Sequence, residues 1–204
     1  MRRDPRDTER QLWELASEQG GYFTASQALS TGYSYRQQHF HRERGNWLAI
    51  DRGLFRLRAF PNSECEDLIR WSFWSRDQRG KIQAVVSHES ALAVHDLSDV
   101  MPAKLHLTVP KNFRKPAPSA CTLHYGELAD ADIEPRQGFL LTTPFRTIKD
   151  IAESDVSPEH LAKAIHDALN RGIVRRKQFE QIEFSAPGWQ RIQEALKSTE
   201  RLAS

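Results

Sequence analysis

The chain has 204 residues, 39% of them hydrophobic and 9% aromatic, with a net charge of +2. This composition suits one large or two small core-forming domains and excludes a disordered chain. No run approaches the ~18 apolar residues of a membrane span, and "MRRDPRDTER" lacks the apolar stretch of a secretory signal, so a cytoplasmic protein without a membrane partner is expected.

The elements follow in chain order. "DTERQLWELASEQGG" reads as a helix capped by Asp7 or Thr8, with Leu12, Leu15 and Ala16 on one face and Gly20-Gly21 as the stop. "FTASQALSTG" reads as a shorter helix, with Thr24 as cap, Ala25, Ala28 and Leu29 inward and Gly32 after its end. Ser34 caps a third helix that closes at Gly45. "NWLAI", the turn "DRG" and "LFRLRAF" then form a hairpin, with Leu54, Arg56 and Arg58 alternating against Phe55 and Leu57. Three helices and a hairpin in that order predict a winged helix-turn-helix over residues 1–60.

A linking helix is expected within 61–80, in "SECEDLIRWSFWSRD", with Leu68 and Trp71 buried and Phe73 or Trp74 beside them. "RDQRGK" is a polar break and a domain boundary. Residues 81–204 mix strand candidates ("IQAVVS", "KLHLTVP", "CTLHY", "GFLLTT") with helices ("HESALAVHDL", "PFRTIKDIAES", "SPEHLAKAIHDALNRG", and about Trp189 to Arg201). The fold class is therefore α+β: an N-terminal winged helix-turn-helix followed by a C-terminal α+β domain with a small sheet and packed helices.

The third helix carries the chemistry. Residues 1–60 have a net charge of +3 and the other 144 a net of −1; between Gly20 and Phe60 six arginines face only Glu43 and Asp51. In a helix-turn-helix this helix lies in the major groove, where Arg pairs with guanine and Gln with adenine. Tyr35, Arg36, Gln37, Gln38, His39 and Arg42 form the expected reading surface, and Ser34 offers a backbone N–H to a phosphate. Arg52 at the hairpin tip reaches a phosphate or the minor groove. A bland surface helix would interleave acids with its bases, whereas Glu43 is the one acid between Ser34 and Ile50.

Catalytic readings find less. His88 and His95 are seven apart, hence on one helical face, and His106 and His124 follow on strand candidates. Their spacing matches no zinc or hydrolase pattern, so they are read as capping or core histidines tying the helix to "LHLTVP". Asp99 and Lys104 make no nuclease motif. GxGxxG, P-loop, GxSxG and HExxH are absent, and Cys65 and Cys121 form no CxxC pair. No cofactor, metal or enzymatic activity is expected. Two basic patches, Lys111–Arg114–Lys115 and Arg171–Arg175–Arg176–Lys177, are read as solvated surface.

"GGYFTASQALSTGYSYRQQHFHRERGNWLAIDRGLFRLRAFP" resembles the N-terminal winged helix of AbiEi-type antitoxins, the DNA-binding partners of type IV toxin–antitoxin and abortive-infection systems. "VVSHESALAVHDLSDVMPAKLHLTVP", "LTTPFRTIKDIA" and "EHLAKAIHDALNRG" resemble the second domain of that family, so the likeness runs from about Thr8 to Phe179. It implies a cytoplasmic transcriptional repressor that binds inverted repeats in its own promoter and counters a nucleotidyltransferase-type toxin. Carried over to this sequence, Ser34–Arg44 and Trp47–Arg58 become the DNA-binding elements, with Arg36, Gln37, Arg42, Arg52 and Arg56 foremost. Two alternatives are a solitary regulator without a toxin, and a nuclease-like or metal-dependent enzyme tethered to DNA by its winged helix.

Overall fold

The computed structural model describes residues 4–181 and 183–202; the first three residues of the N-terminal segment and the last two of the chain lie outside them. Within the described residues the protein is mixed α+β, with nine α-helices and two small sheets. It divides into two units. One comprises the chain up to Ile82 together with Pro135–Phe139; the other comprises Gln83–Glu134 and the chain from Leu140 on.

The first unit opens with α1, Pro5–Glu18. Its cap is Asp4, whose side chain accepts from Arg6 N at 2.9 Å, and not Asp7 or Thr8. Pro5 explains the shift: proline lacks an N–H and has a helical φ, so it sits at the first helical position and the cap falls before it. Gly20 and Gly21 follow at φ 64° and 88° and turn the chain. Next comes an unanticipated strand, β1 (Tyr22–Thr24), then α2 (Ala25–Thr31), opened by a capping box between Thr24 and Gln27. Leu29, expected inward, is 37% exposed; Ala28 and Thr31 are buried instead. α3 is Tyr35–Glu43, β2 Trp47–Asp51 and β3 Leu54–Leu57.

The three strands form an antiparallel sheet in the order β1-β3-β2. Because β3 is the middle strand, Leu54, Phe55, Arg56 and Leu57 are all buried. The alternation of a half-wet hairpin therefore does not hold. On one face Phe23 and Phe55, paired in register, pack with Leu12, Ala16, Tyr33 and Trp47. On the other, Tyr22 pairs with Arg56 and lies 6.1 Å from the ring of Phe73. Phe73 belongs to α4, Glu66–Trp74, which buries Ile69, Ser72 and Phe73. Leu68 and Trp71, expected in the core, are half-buried, since the helix is turned to present the 69/72/73 stripe.

The second unit is built on a five-stranded sheet of order β6-β5-β4-β8-β7, with β4 Val85–Val86, β5 Leu105–Val109, β6 Cys121–Tyr125, β7 Ile133–Arg136 and β8 Phe139–Thr142. The two hairpin strands β7 and β8 continue into the 135–139 segment assigned to the first unit. β4 runs antiparallel to β5 and parallel to β8, and β5 runs parallel to β6. β7 was not legible as a strand because Pro135 interrupts it; proline is tolerated there as the strand lies at the sheet edge. The helices are α5 (His88–His95), α6 (Pro144–Ala152), α7 (Pro158–Asn170), α8 (Arg176–Glu180) and α9 (Ala186–Leu202). Leu92, Ile148, Ile151, Leu161, Ile165 and Ile192 share one core. Arg191 closes the end of α6, donating to the carbonyls of Ile151 at 3.1 Å and Ala152 at 3.0 Å and to those of Ser154 and Val156.

Candidate nucleic-acid interface

Helix α3 is fixed at its start by a reciprocal cap. Ser34 Oγ accepts from Gln37 N at 3.3 Å, and Gln37 Oε1 accepts from Ser34 N at 2.9 Å and Ser34 Oγ at 2.8 Å. The Ser34 N–H expected to meet a phosphate is thus already donated, and half of the Gln37 amide is used locally. Arg44 and Gly45, at φ 69°, end the helix.

The structure sorts the expected reading residues into two groups. Tyr35 is 70% exposed, and Arg36, Gln37, His39 and Arg42 are exposed with it. Among the described residues, the side chains of Arg36, His39 and Arg52 have no hydrogen bond or ion pair. Arg52 stands at the tip of the β2–β3 turn beside Gly53 at φ 70°. Arg42 lies 5.7 Å from the Phe55 ring centroid, and Arg44 lies 4.8 Å from that of the half-exposed Phe40.

Gln38 and Arg56 do not belong to this surface. Gln38 is 4% exposed, and its Nε2 donates to Ala25 O at 3.1 Å and Tyr33 O at 3.3 Å, so it clamps α3 to the start of α2. Arg56 is 3% exposed. Its Nη2 donates to Phe60 O, Pro61 O and Asn62 Oδ1 at 3.1, 2.8 and 3.0 Å and pairs with Glu66 Oε1 at 3.2 Å. Both were expected at DNA because polar residue type says nothing about which face of a three-stranded sheet or a short helix a covering element claims. Arg58, the last residue of the expected wing, donates through Nε to Gly45 O at 2.6 Å and braces the α3–β2 connection.

In the second unit three histidines come together. His88 stacks on His124 with centroids 3.5 Å apart and planes at 11°. His124 Nε2 lies 3.1 Å from His106 Nδ1, and His106 Nε2 lies 3.2 Å from Glu89 Oε2. His88 has φ 51° and its Nδ1 is 2.9 Å from Ser87 Oγ, which also accepts from Thr108 Oγ1 at 2.8 Å. Burial first, then His124 and His106, push His88 down to about 3; burial and His106 push His124 down to about 4. His106 is lowered as well, by burial, with Glu89 opposing. All three are neutral at pH 7, which is what a face-to-face stack requires. His95 stands apart from them, buried, with Nε2 2.7 Å from the Thr142 carbonyl. It therefore ties α5 to β8, while the Glu89–His106 contact ties α5 to β5. Among the described residues no group of three or more His, Cys, Asp or Glu is arranged to hold a metal ion.

Of the basic patches, Lys111 and Arg114 are exposed, whereas Arg171 Nη1 donates to the carbonyls of His95 at 3.0 Å and Asp96 at 2.8 Å and closes α5. Asp99 pairs with Lys163 at 3.5 Å on the surface.

No protein-family model matches the sequence, and a search of curated proteins gives no match. Among solved structures, the fold is similar to the crystal structure of the RV2827C protein from Mycobacterium tuberculosis, with a TM-score of 0.59 and 18% sequence identity over 98% of this chain and 79% of that one. At that identity the likeness is one of fold.

Proposed function

We propose that the protein is a DNA-binding transcriptional repressor whose first unit acts as a winged helix-turn-helix, with α3 as the reading helix and the β2–β3 turn as the wing. The observation that carries this reading is the outer surface of α3: Tyr35, Arg36, His39 and Arg42 are exposed together, while Gln38 of the same helix is buried as an anchor. A helix held rigidly at its base with uncommitted donors outward suits major-groove contact. Arg52 then serves the phosphate backbone. The resemblance to AbiEi-type proteins adds the role of antitoxin to a nucleotidyltransferase-type toxin and an operator of inverted repeats; a solitary regulator shares the DNA-binding part alone.

The test is a fluorescence-anisotropy titration of the full chain on duplex DNA from upstream of its own gene. Binding should weaken steeply between 50 and 200 mM salt, on the order of tenfold or more for several phosphate contacts. Absence of binding at 50 mM salt defeats the reading. Growth rescue on co-expression with a toxin encoded beside the gene separates the antitoxin from the solitary regulator.

A further inference from the structure

A groove of about 500 Å³ lies between α1, the end of α3 and the β2–β3 strands, wholly within the first unit. Its floor is made by the buried side chains of Leu12, Trp47 and Leu57. Trp13 stands at its edge, 43% exposed, with the Phe60 ring 5.9 Å away on one side. Opposite, His41 lies parallel to Trp47 at 5.0 Å and 15°, and Tyr33 meets both edge-on at 5.3 and 5.0 Å. A second hollow of about 950 Å³ shares Glu9, Tyr33 and His41 and extends to Ser34 and Gln37, so the groove opens along α1 toward the head of α3. A mostly apolar, aromatic-lined cavity of this size, with few polar groups, has the character of a small-ligand site, for which volumes of about 300–1,000 Å³ are usual.

The polar groups of the groove define what fits it. Glu9 has no ion pair among the described residues, and its charge reaches the site: it raises Tyr33 alongside the larger effect of burial, and it opposes the burial that lowers His41. Arg58, the one arginine or lysine of the lining, is tied to the Gly45 carbonyl. Asn46 Nδ2 and His41 Nδ1 occupy each other at 3.2 Å. An unpaired carboxylate therefore stands beside a wall of aromatic rings whose faces and edges pack against another ring and whose faces attract a cation.

We propose that this groove binds a small planar aromatic molecule carrying a protonated amine, its ring packed between Trp13 and the His41–Trp47 stack and its ammonium group paired with Glu9. The site does not depend on the DNA-binding reading. Isothermal titration of the full chain with tryptamine tests it, with 3-indoleacetate (aromatic, anionic) and butylamine (cationic, non-aromatic) as companions. Tryptamine should bind saturably at one per chain and more tightly than either companion. Trp13→Ala and Glu9→Gln should each weaken it roughly tenfold, and Glu9→Gln, at an exposed position, should do so while leaving the melting temperature in place. Three results would overturn the proposal: no saturable tryptamine binding, equal affinity for all three compounds, or sedimentation of a dimer that Trp13→Ala dissociates, which would give the groove to a second copy of the chain.

Discussion

Two glutamines one position apart, Gln37 and Gln38, show how residue identity and residue role part company. Both are polar and both sit on the same basic helix, yet one caps the helix and the other is a buried clamp. The outcomes of substitution should part as well. Gln38→Ala leaves the carbonyls of Ala25 and Tyr33 without their donor and should cost about 1–3 kcal/mol in urea unfolding. Arg36→Ala, at an exposed position without a partner, should leave the urea midpoint unchanged and weaken cognate DNA by about 1–3 kcal/mol; equal effects on both readouts would remove the distinction. The histidine stack makes a different forecast. His88 and His124 are depressed below the ~6.5 of an unfolded imidazole, so the unfolded chain binds more protons than the folded one at mildly acidic pH. Their stabilisation is complete above pH 6.5 and is lost as pH falls toward 4 and then 3. Asp150, pushed up to about 6 by burial although Arg146 Nε donates to it at 2.7 Å, contributes with the opposite sign between about 4 and 6. Comparing thermal melts with those of His124→Gln isolates the imidazole: the variant should lose less stability than the parent between pH 6.5 and 4, and parallel curves would refute the assignment.

Among elements, those specified by neighbouring residues were legible and those specified by distant ones were not. The caps at Thr24 and Ser34 and the Asp51-Arg52-Gly53 turn stand where their side-chain chemistry places them, because a cap bonds within its own turn. β1 and β7 were missed because a short strand is made by its partner: Tyr22–Thr24 exists as a strand by pairing with Leu54–Arg56, far along the chain. That same pairing buried Arg56, so an error about an element became an error about a site residue. α8, five residues long, shows no helical period over so short a length. The turn before β1 offers a test at this scale. Gly21 has φ 88°, and a Cβ there would lie 2.6 Å from the Phe60 ring. Gly21→Ala should therefore lower stability by more than the ~0.4–1 kcal/mol that a strain-free glycine-to-alanine exchange gains. Gly53→Ala, where nothing lies within 4 Å, meets the φ cost alone and should be milder in the same melting experiment.

For the whole molecule, the near-neutral total conceals an uneven distribution, and that distribution was visible in the sequence; what was not visible is that the first unit is not a continuous stretch. The chain leaves the first unit at Ile82, and Pro135–Phe139 belongs to that unit too. Gln137 Nε2 donates to Ser17 O, and the backbone of Gly138, at φ 87°, comes so near Gln19 that a Cβ would lie 2.9 Å from its carbonyl. During synthesis the ribosome must therefore release β4, α5, β5 and β6 before the segment that completes the first unit has left the exit tunnel. Nascent chains arrested so that Ile82 has cleared the tunnel but Pro135 has not should be digested by protease within residues 4–82 more readily than chains arrested well beyond Phe139. The order in which the parts of this protein become protease-resistant is then not the order in which they are encoded.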